Sequence, residues 1–135
     1  SFEQGQGDVL ISYENEAIML SRKNDSLPPS QRTDYVIPPQ TFKIENPVAV
    51  TTTSQHQQQA NALKNFIYTP EGQKLWAEAG FRPVDPAVAA QFASDFPTPQ
   101  KLWTIADLGG WGDVDPALFD KDNGSITKIY KQATG

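Results

Sequence analysis

Apolar residues change their spacing along this chain. Val9-Leu10-Ile11 form an unbroken run behind Gly5-Gln6-Gly7-Asp8, whereas beyond residue 54 apolar positions recur every three or four residues. An unbroken run predicts a strand buried on both faces, as in a parallel sheet covered by helices. Ligand sites in such sheets lie just beyond the carboxyl ends of the strands, which places Ser12, Tyr13, Glu14 and Asn15 where a small ligand would be met. The same residues also fit an ordinary strand end, with Ser12 capping a helix and Tyr13 partly exposed. Glu14 to Lys23 reads as a short helix in which Ala17, Ile18, Met19 and Leu20 are too crowded for a clean stripe, so it is expected to be largely buried. Asn24 to Arg32, with Pro28-Pro29, is a polar loop that no helix can cross and is the expected mobile surface. Asp34 to Pro38 and Lys43-Ile44 read as short strands, and Val48 to Thr53 as a longer β-branched strand following Pro47.

Helix starts are well punctuated in the second half. Ser54 followed by Gln57 is a capping-box pattern, after which Ala60, Leu63, Phe66 and Ile67 share a helical face. Thr69-Pro70, Asp85-Pro86 and Asp115-Pro116 each set a capping side chain before a proline whose missing N–H costs nothing at the first helical position. Leu75, Trp76 and Ala79 are expected to line the helix that Gly80 ends, and Val88, Ala89 and Phe92 the next. A last helix starts near Ser125, with Ile126, Ile129, Tyr130 and Ala133 on one side. Trp76 and Trp103 sit within apolar patterns and read as core residues, while Trp111, after two glycines, reads as a turn aromatic that packs the tail.

Composition narrows the chemistry. With 38% apolar and 20% charged residues the 135-residue chain is of globular type, and no apolar run approaches the roughly 20 residues of a membrane span. The absence of cysteine excludes disulfides, zinc–thiolate sites and thiol catalysis, and the single histidine, His56, leaves little for metal or triad chemistry. A net charge of −5 argues against nucleic acid, which selects basic stripes. It does not exclude a small anion, which helix N-termini and hydroxyl groups can hold locally. Glu14 and Glu16 lie two apart with no partner chemistry nearby, so they read as a solvated, dipole-favoured helix start. Asp113, Asp115, Asp120 and Asp122 with Asn123-Gly124 miss the spacing of a calcium loop. No cofactor and no metal is expected.

Residues Asp8 to Ala17 (Asp-Val-Leu-Ile-Ser-Tyr-Glu-Asn-Glu-Ala) carry a resemblance. So, in the same order, do Asn46-Pro47-Val48-Ala49-Val50, Tyr68-Thr69-Pro70-Glu71-Gly72-Gln73, Phe81-Arg82-Pro83, Phe96-Pro97, Leu102-Trp103-Thr104-Ile105 and Gly109-Gly110-Trp111. Together these resemble the C-terminal part of periplasmic sulfate- and thiosulfate-binding proteins, the solute receptors of sulfate ABC transporters. The resemblance implies an α/β fold, the C-terminal portion of a two-lobed type II periplasmic-binding-protein fold. It implies that residues 1–46 end one lobe with a strand and turn at the ligand cleft, that 47–53 form a crossover strand, and that 54–135 form a helical part returning to the other lobe.

Within this resemblance Tyr13 stands where the family commonly has a tryptophan whose indole N–H donates to sulfate; a phenol keeps the donor but can also accept. Tyr13 is therefore the expected ligand-binding residue, with Ser12 as a lesser one, and catalytic residues are expected to be absent. Implied partners are sulfate or thiosulfate, an ABC-transporter permease and the N-terminal portion of the same receptor. The implied location is extracytoplasmic, in the periplasm or on the cell surface as a lipoprotein, and the isolated piece is expected to self-associate. A stand-alone α/β enzyme or sensor module using the acidic residues is the alternative, although no nucleophile, base and orienter can be assembled from this chain.

Overall fold

Thr69 and Asp85 cap helices as their sequence context requires. Thr69 Oγ1 accepts the Gly72 N–H at 3.1 Å and opens α3 (Pro70–Glu78), and Asp85 Oδ1 accepts the Val88 N–H at 2.9 Å and opens α4 (Pro86–Gln91). The computed structural model describes residues 2–135. Earlier in the chain lie α1 (Glu14–Arg22) and α2 (Gln57–Ile67), and after α4 come α5 (Trp111–Phe119) and α6 (Ser125–Thr134). Two short strands, β1 (Gln40–Phe42) and β2 (Lys101–Trp103), complete the regular elements apart from short 3-10 turns. Among the described residues no helix is long and apolar enough to cross a membrane.

The chain divides into two units, one made of residues up to Ile37 together with Pro47–Thr98, the other of Pro38–Asn46 with Pro99–Gly135. In the first unit Ile18 of α1 and Ala77 of α3 are buried with Phe96, and Tyr35 and Phe92 pack against them. A buried amide joins the helices around this cluster: Gln73 donates to the Ile67 carbonyl at 2.7 Å and accepts the Val84 N–H at 2.6 Å. The end of α2 and the approach to α4 are thereby tied to one side chain. Two glycines permit the tight contacts. A Cβ on Gly72 would lie 2.2 Å from the Phe66 carbonyl oxygen, and one on Gly80, at φ +85°, would lie 3.0 Å from the Asn15 Cα.

In the second unit β1 and β2 pair in parallel, Gln40 opposite Lys101, Thr41 opposite Leu102 and Phe42 opposite Trp103. Trp103 Nε1 donates to Gln40 Oε1 at 3.3 Å, and the Lys101 ammonium sits 4.5 Å from the Trp103 ring centroid. Gly109 and Gly110, at φ +94° and +88°, turn the chain into α5. Asp120 Oδ1 then accepts the N–H groups of Asp122 and Asn123 and shapes the turn into α6.

Several expectations are corrected here. Val9, Leu10 and Ile11 are extended but unpaired, with exposures of 84%, 53% and 97%. A strand needs a hydrogen-bonding neighbour as well as the right side chains, and no described segment supplies one. Asp34–Pro38 and Val48–Thr53 likewise carry no ladder; pairing falls on Gln40–Phe42, and of Lys43-Ile44 the Lys43 N–H extends it by donating to the Trp103 carbonyl at 2.8 Å. Ile18 is the one fully buried residue of α1, and Met19 is exposed. The buried face of α3 runs through Gly72, Gln73 and Ala77, because Gly72 allows its backbone against α2, and Leu75 and Trp76 face outward. Asp115-Pro116 opens no helix: α5 starts at Trp111 and carries Pro116 inside it. Trp111 is exposed rather than packed. The Ser54 pattern shifts too, since Ser54 Oγ accepts the His56 N–H at 3.1 Å and α2 begins only at Gln57. The Asn24–Arg32 loop is clasped, with the Asn24 amide bonding Thr33 in both directions at 2.8 and 3.0 Å.

Two outcomes are expected from these contacts. Gly80→Ala forces a left-handed conformation and a backbone clash, and should lower the unfolding free energy by about 1–3 kcal/mol in urea denaturation. The second concerns Asp120, whose carboxyl is held below its ordinary value of 3.8 by the backbone N–H groups of Asn123 and Asp122. Its folded-state value is depressed, so its contribution is present above the ordinary value and is lost as pH falls through the lowered one. Amide exchange at Asp122 and Asn123 should stay slow through the ordinary carboxylate range and quicken only below it, and Asp120→Asn should abolish that step.

Candidate functional site

Tyr13 occupies the N-cap position of α1 with extended backbone (φ −76°, ψ 150°), and its carbonyl accepts the Ala17 N–H at 3.2 Å. Its side chain does not cap the helix. The ring is 60% exposed, and among the described residues its hydroxyl has no hydrogen-bond partner. The N-cap residue of α1 thus carries an unengaged phenol, and its side chain leaves the first-turn N–H groups of the helix uncapped.

Ser12, the neighbouring candidate, is differently placed. Its hydroxyl donates to the Glu16 carboxylate one turn into α1, so its proton is already committed. The structure thus brings Ser12 and Tyr13 to one helix start but leaves only the phenol unengaged.

Glu14 is not the solvated residue its sequence context suggested. Arg82 grips it with two prongs, Nε to Oε2 at 2.6 Å and Nη2 to Oε1 at 2.7 Å. Neither side chain is more than about a third exposed, with 34% for Arg82 and 26% for Glu14. The guanidinium is further fixed by the Pro97 carbonyl at 2.7 Å, the Phe96 carbonyl at 3.4 Å and the Phe96 ring, whose centroid lies 5.5 Å away. Such two-pronged geometry is the form of ion pair that holds orientation as well as charge. At the other end of α1, Arg22 donates to the Glu78 carbonyl and to Asp95 Oδ2, the latter at 3.1 Å. Both ends of α1 are therefore strapped to the segment spanning residues 78–97 by arginine.

Sequence reasoning missed Arg82, although it lies in the quoted Phe81-Arg82-Pro83 piece directly after the turn glycine Gly80. Among the described residues no three His, Cys, Asp or Glu side chains gather into a metal site. With Glu14 ion-paired and Glu16 bonded to Ser12, the helix start offers donors for an anion.

Comparison with known proteins fixes the class. A solved structure, that of the sulfate-binding protein SubI from Mycobacterium tuberculosis, is 65% identical and matches with a TM-score of 0.75, covering 88% of this chain and 39% of that one. The fold is accordingly a partial domain of the periplasmic-binding-protein class. The family model for bacterial extracellular solute-binding proteins matches residues 1–82, more than half of the chain, and the chain belongs to that family. The sulfate-binding protein of Synechococcus elongatus is 40% identical over 99% of this chain and 38% of its own length. The thiosulfate-binding protein of Pseudomonas aeruginosa is 32% identical over 96% of this chain and 39% of its own. The chain thus spans about two fifths of the length of the relatives it matches.

Proposed function

We propose that the receptor carrying this chain captures sulfate, or the closely related thiosulfate, outside the cytoplasmic membrane and delivers it to the permease of an ABC transporter, without chemical turnover. The observation that carries this reading is the unengaged Tyr13 phenol at the uncapped start of α1, in a chain whose relatives are named for sulfate and thiosulfate binding. The selectivity follows from protonation. Sulfate carries no proton near neutrality, so a site built of donors satisfies all its oxygens, while the proton of hydrogen phosphate is left facing no acceptor.

In this reading Tyr13 donates to the anion within the ligand cleft, and Ser12 contributes less because its proton is held by Glu16. The cleft turn in this reading belongs to the unit made of residues up to Ile37 with Pro47–Thr98. The N-terminal portion of the receptor supplies further donors, and also the sheet neighbours that Val9-Leu10-Ile11 lack. An isolated chain with that exposed segment should self-associate, which light scattering at micromolar concentration would detect.

Calorimetry on the complete receptor tests the site. Tyr13→Phe removes a donor to a charged ligand and should weaken sulfate binding by about 1.5–3 kcal/mol, whereas Ser12→Ala should cost under about 1 kcal/mol. Unchanged affinity in Tyr13→Phe removes Tyr13 from the site. No hydrolysis of an aryl sulfate ester is expected, and turnover that vanishes in Glu14→Gln would overturn the non-enzymatic reading.

A further inference from the structure

Glu14 follows Tyr13 directly in the chain, which puts a carboxylate in the first turn of the helix at whose start a dianion is proposed to bind. Uncompensated, that charge would repel the ligand in a partly desolvated site. In the structure it is compensated by a residue 68 positions away in the chain, and by two hydrogen bonds of 2.6 and 2.7 Å. We infer that Arg82 is a positioning residue for anion capture: its two-pronged pair with Glu14 masks the carboxylate next to Tyr13 and pins the start of α1 in place. This rests on the reading of the start of α1 as the anion site given above.

The surroundings of Arg82 fit that role. Nη2 is shared between Glu14 and the Pro97 carbonyl, Nη1 reaches the Phe96 carbonyl, and the Phe96 ring lies against the guanidinium. The guanidinium is held by groups other than its anion partner, so it can fix the carboxylate rather than follow it. Gly80, two residues before Arg82, brings the same strand of chain against the Asn15 backbone. Position and charge compensation therefore enter α1 at the same point. A lysine would retain the charge but offers one prong where the pair uses two.

The test is a double-mutant cycle in the complete receptor. Sulfate affinity is measured by calorimetry at low and high ionic strength for wild type, Arg82→Gln, Glu14→Gln, the double variant and Tyr13→Phe, with melting curves for each. Unmasking Glu14 in Arg82→Gln should weaken sulfate binding about tenfold at low salt, and the loss should shrink as salt screens the exposed charge. Adding Glu14→Gln should restore affinity to within about twofold of wild type, since the repelling charge is gone. A role confined to stability would instead lower the melting temperature of Arg82→Gln with no salt-dependent loss of affinity and no rescue, and that result overturns the inference. If Arg82→Gln does not fold, Arg82→Lys serves in its place: a salt-dependent loss smaller than tenfold and rescued by Glu14→Gln supports the inference, and unchanged affinity overturns it. Loss in Tyr13→Phe without loss in Arg82→Gln overturns the role of Arg82 and leaves the site reading standing. The reverse pattern removes Tyr13 from the site and leaves charge masking standing.

Discussion

At Gly80 the backbone turns through φ +85°, and a Cβ there would lie only 3.0 Å from the Asn15 Cα and 3.1 Å from its carbonyl oxygen, so the turn after α3 passes close against the start of α1. That approach fixes where α1 begins, and the arginine two residues later holds its first residue from the side. Tyr13 is the residue immediately before that fixed point, so its position depends on a glycine and an arginine far away in sequence. A Cβ at position 80 and the loss of a prong at position 82 would act on the same helix end by different means, one through backbone strain and the other through charge and orientation.

Polar clamps have an unusual share in holding the first unit together. The buried cluster of Ile18, Ala77 and Phe96 is small, and the helices around it are joined by Gln73, Arg22 and Arg82, each bonding to backbone carbonyls or carboxylates on another segment. Large apolar side chains meanwhile stay uncovered on Val9, Ile11, Leu63 and Ile129. The chain is about two fifths as long as its relatives, and a short chain buries a smaller fraction of its surface than a long one.

What could be read from the sequence was local. Thr69-Pro70 and Asp85-Pro86 act through bonds three residues long, and Gly80 ends its helix by its own φ, so each was visible without knowing the rest of the fold. The strands failed because pairing is non-local: Gln40–Phe42 pairs with residues about sixty positions on, and nothing in its composition marks it over Val48–Thr53. Asp115-Pro116 repeated the cap pattern, yet Gly109-Gly110 had already turned the chain into a helix four residues earlier. Of the candidate site, the helix expected from Glu14 is present, but Ser12 and Tyr13 precede it without the strand expected behind them and without Ser12 as its cap, and the Glu14–Arg82 pair was invisible because its partners lie 68 residues apart.

The net charge of −5 belongs to the whole chain, whereas the field at a helix start is set mainly by the groups nearest it. Charges beyond a screening length of roughly 8 Å at physiological salt act weakly, so the groups that decide are those in the first turn of α1. There the two carboxylates are treated differently. Glu14, at the first helical position, meets a full positive charge in Arg82, whereas Glu16, two residues on, meets only the neutral hydroxyl of Ser12. Glu16 lies in the first turn, where the positive end of the helix favours an acidic side chain. Glu14, the residue directly after Tyr13 in the chain, is the one whose charge is paired. Two carboxylates in one turn of helix thus take different partners, one a guanidinium held in place by other groups and the other a hydroxyl one turn back.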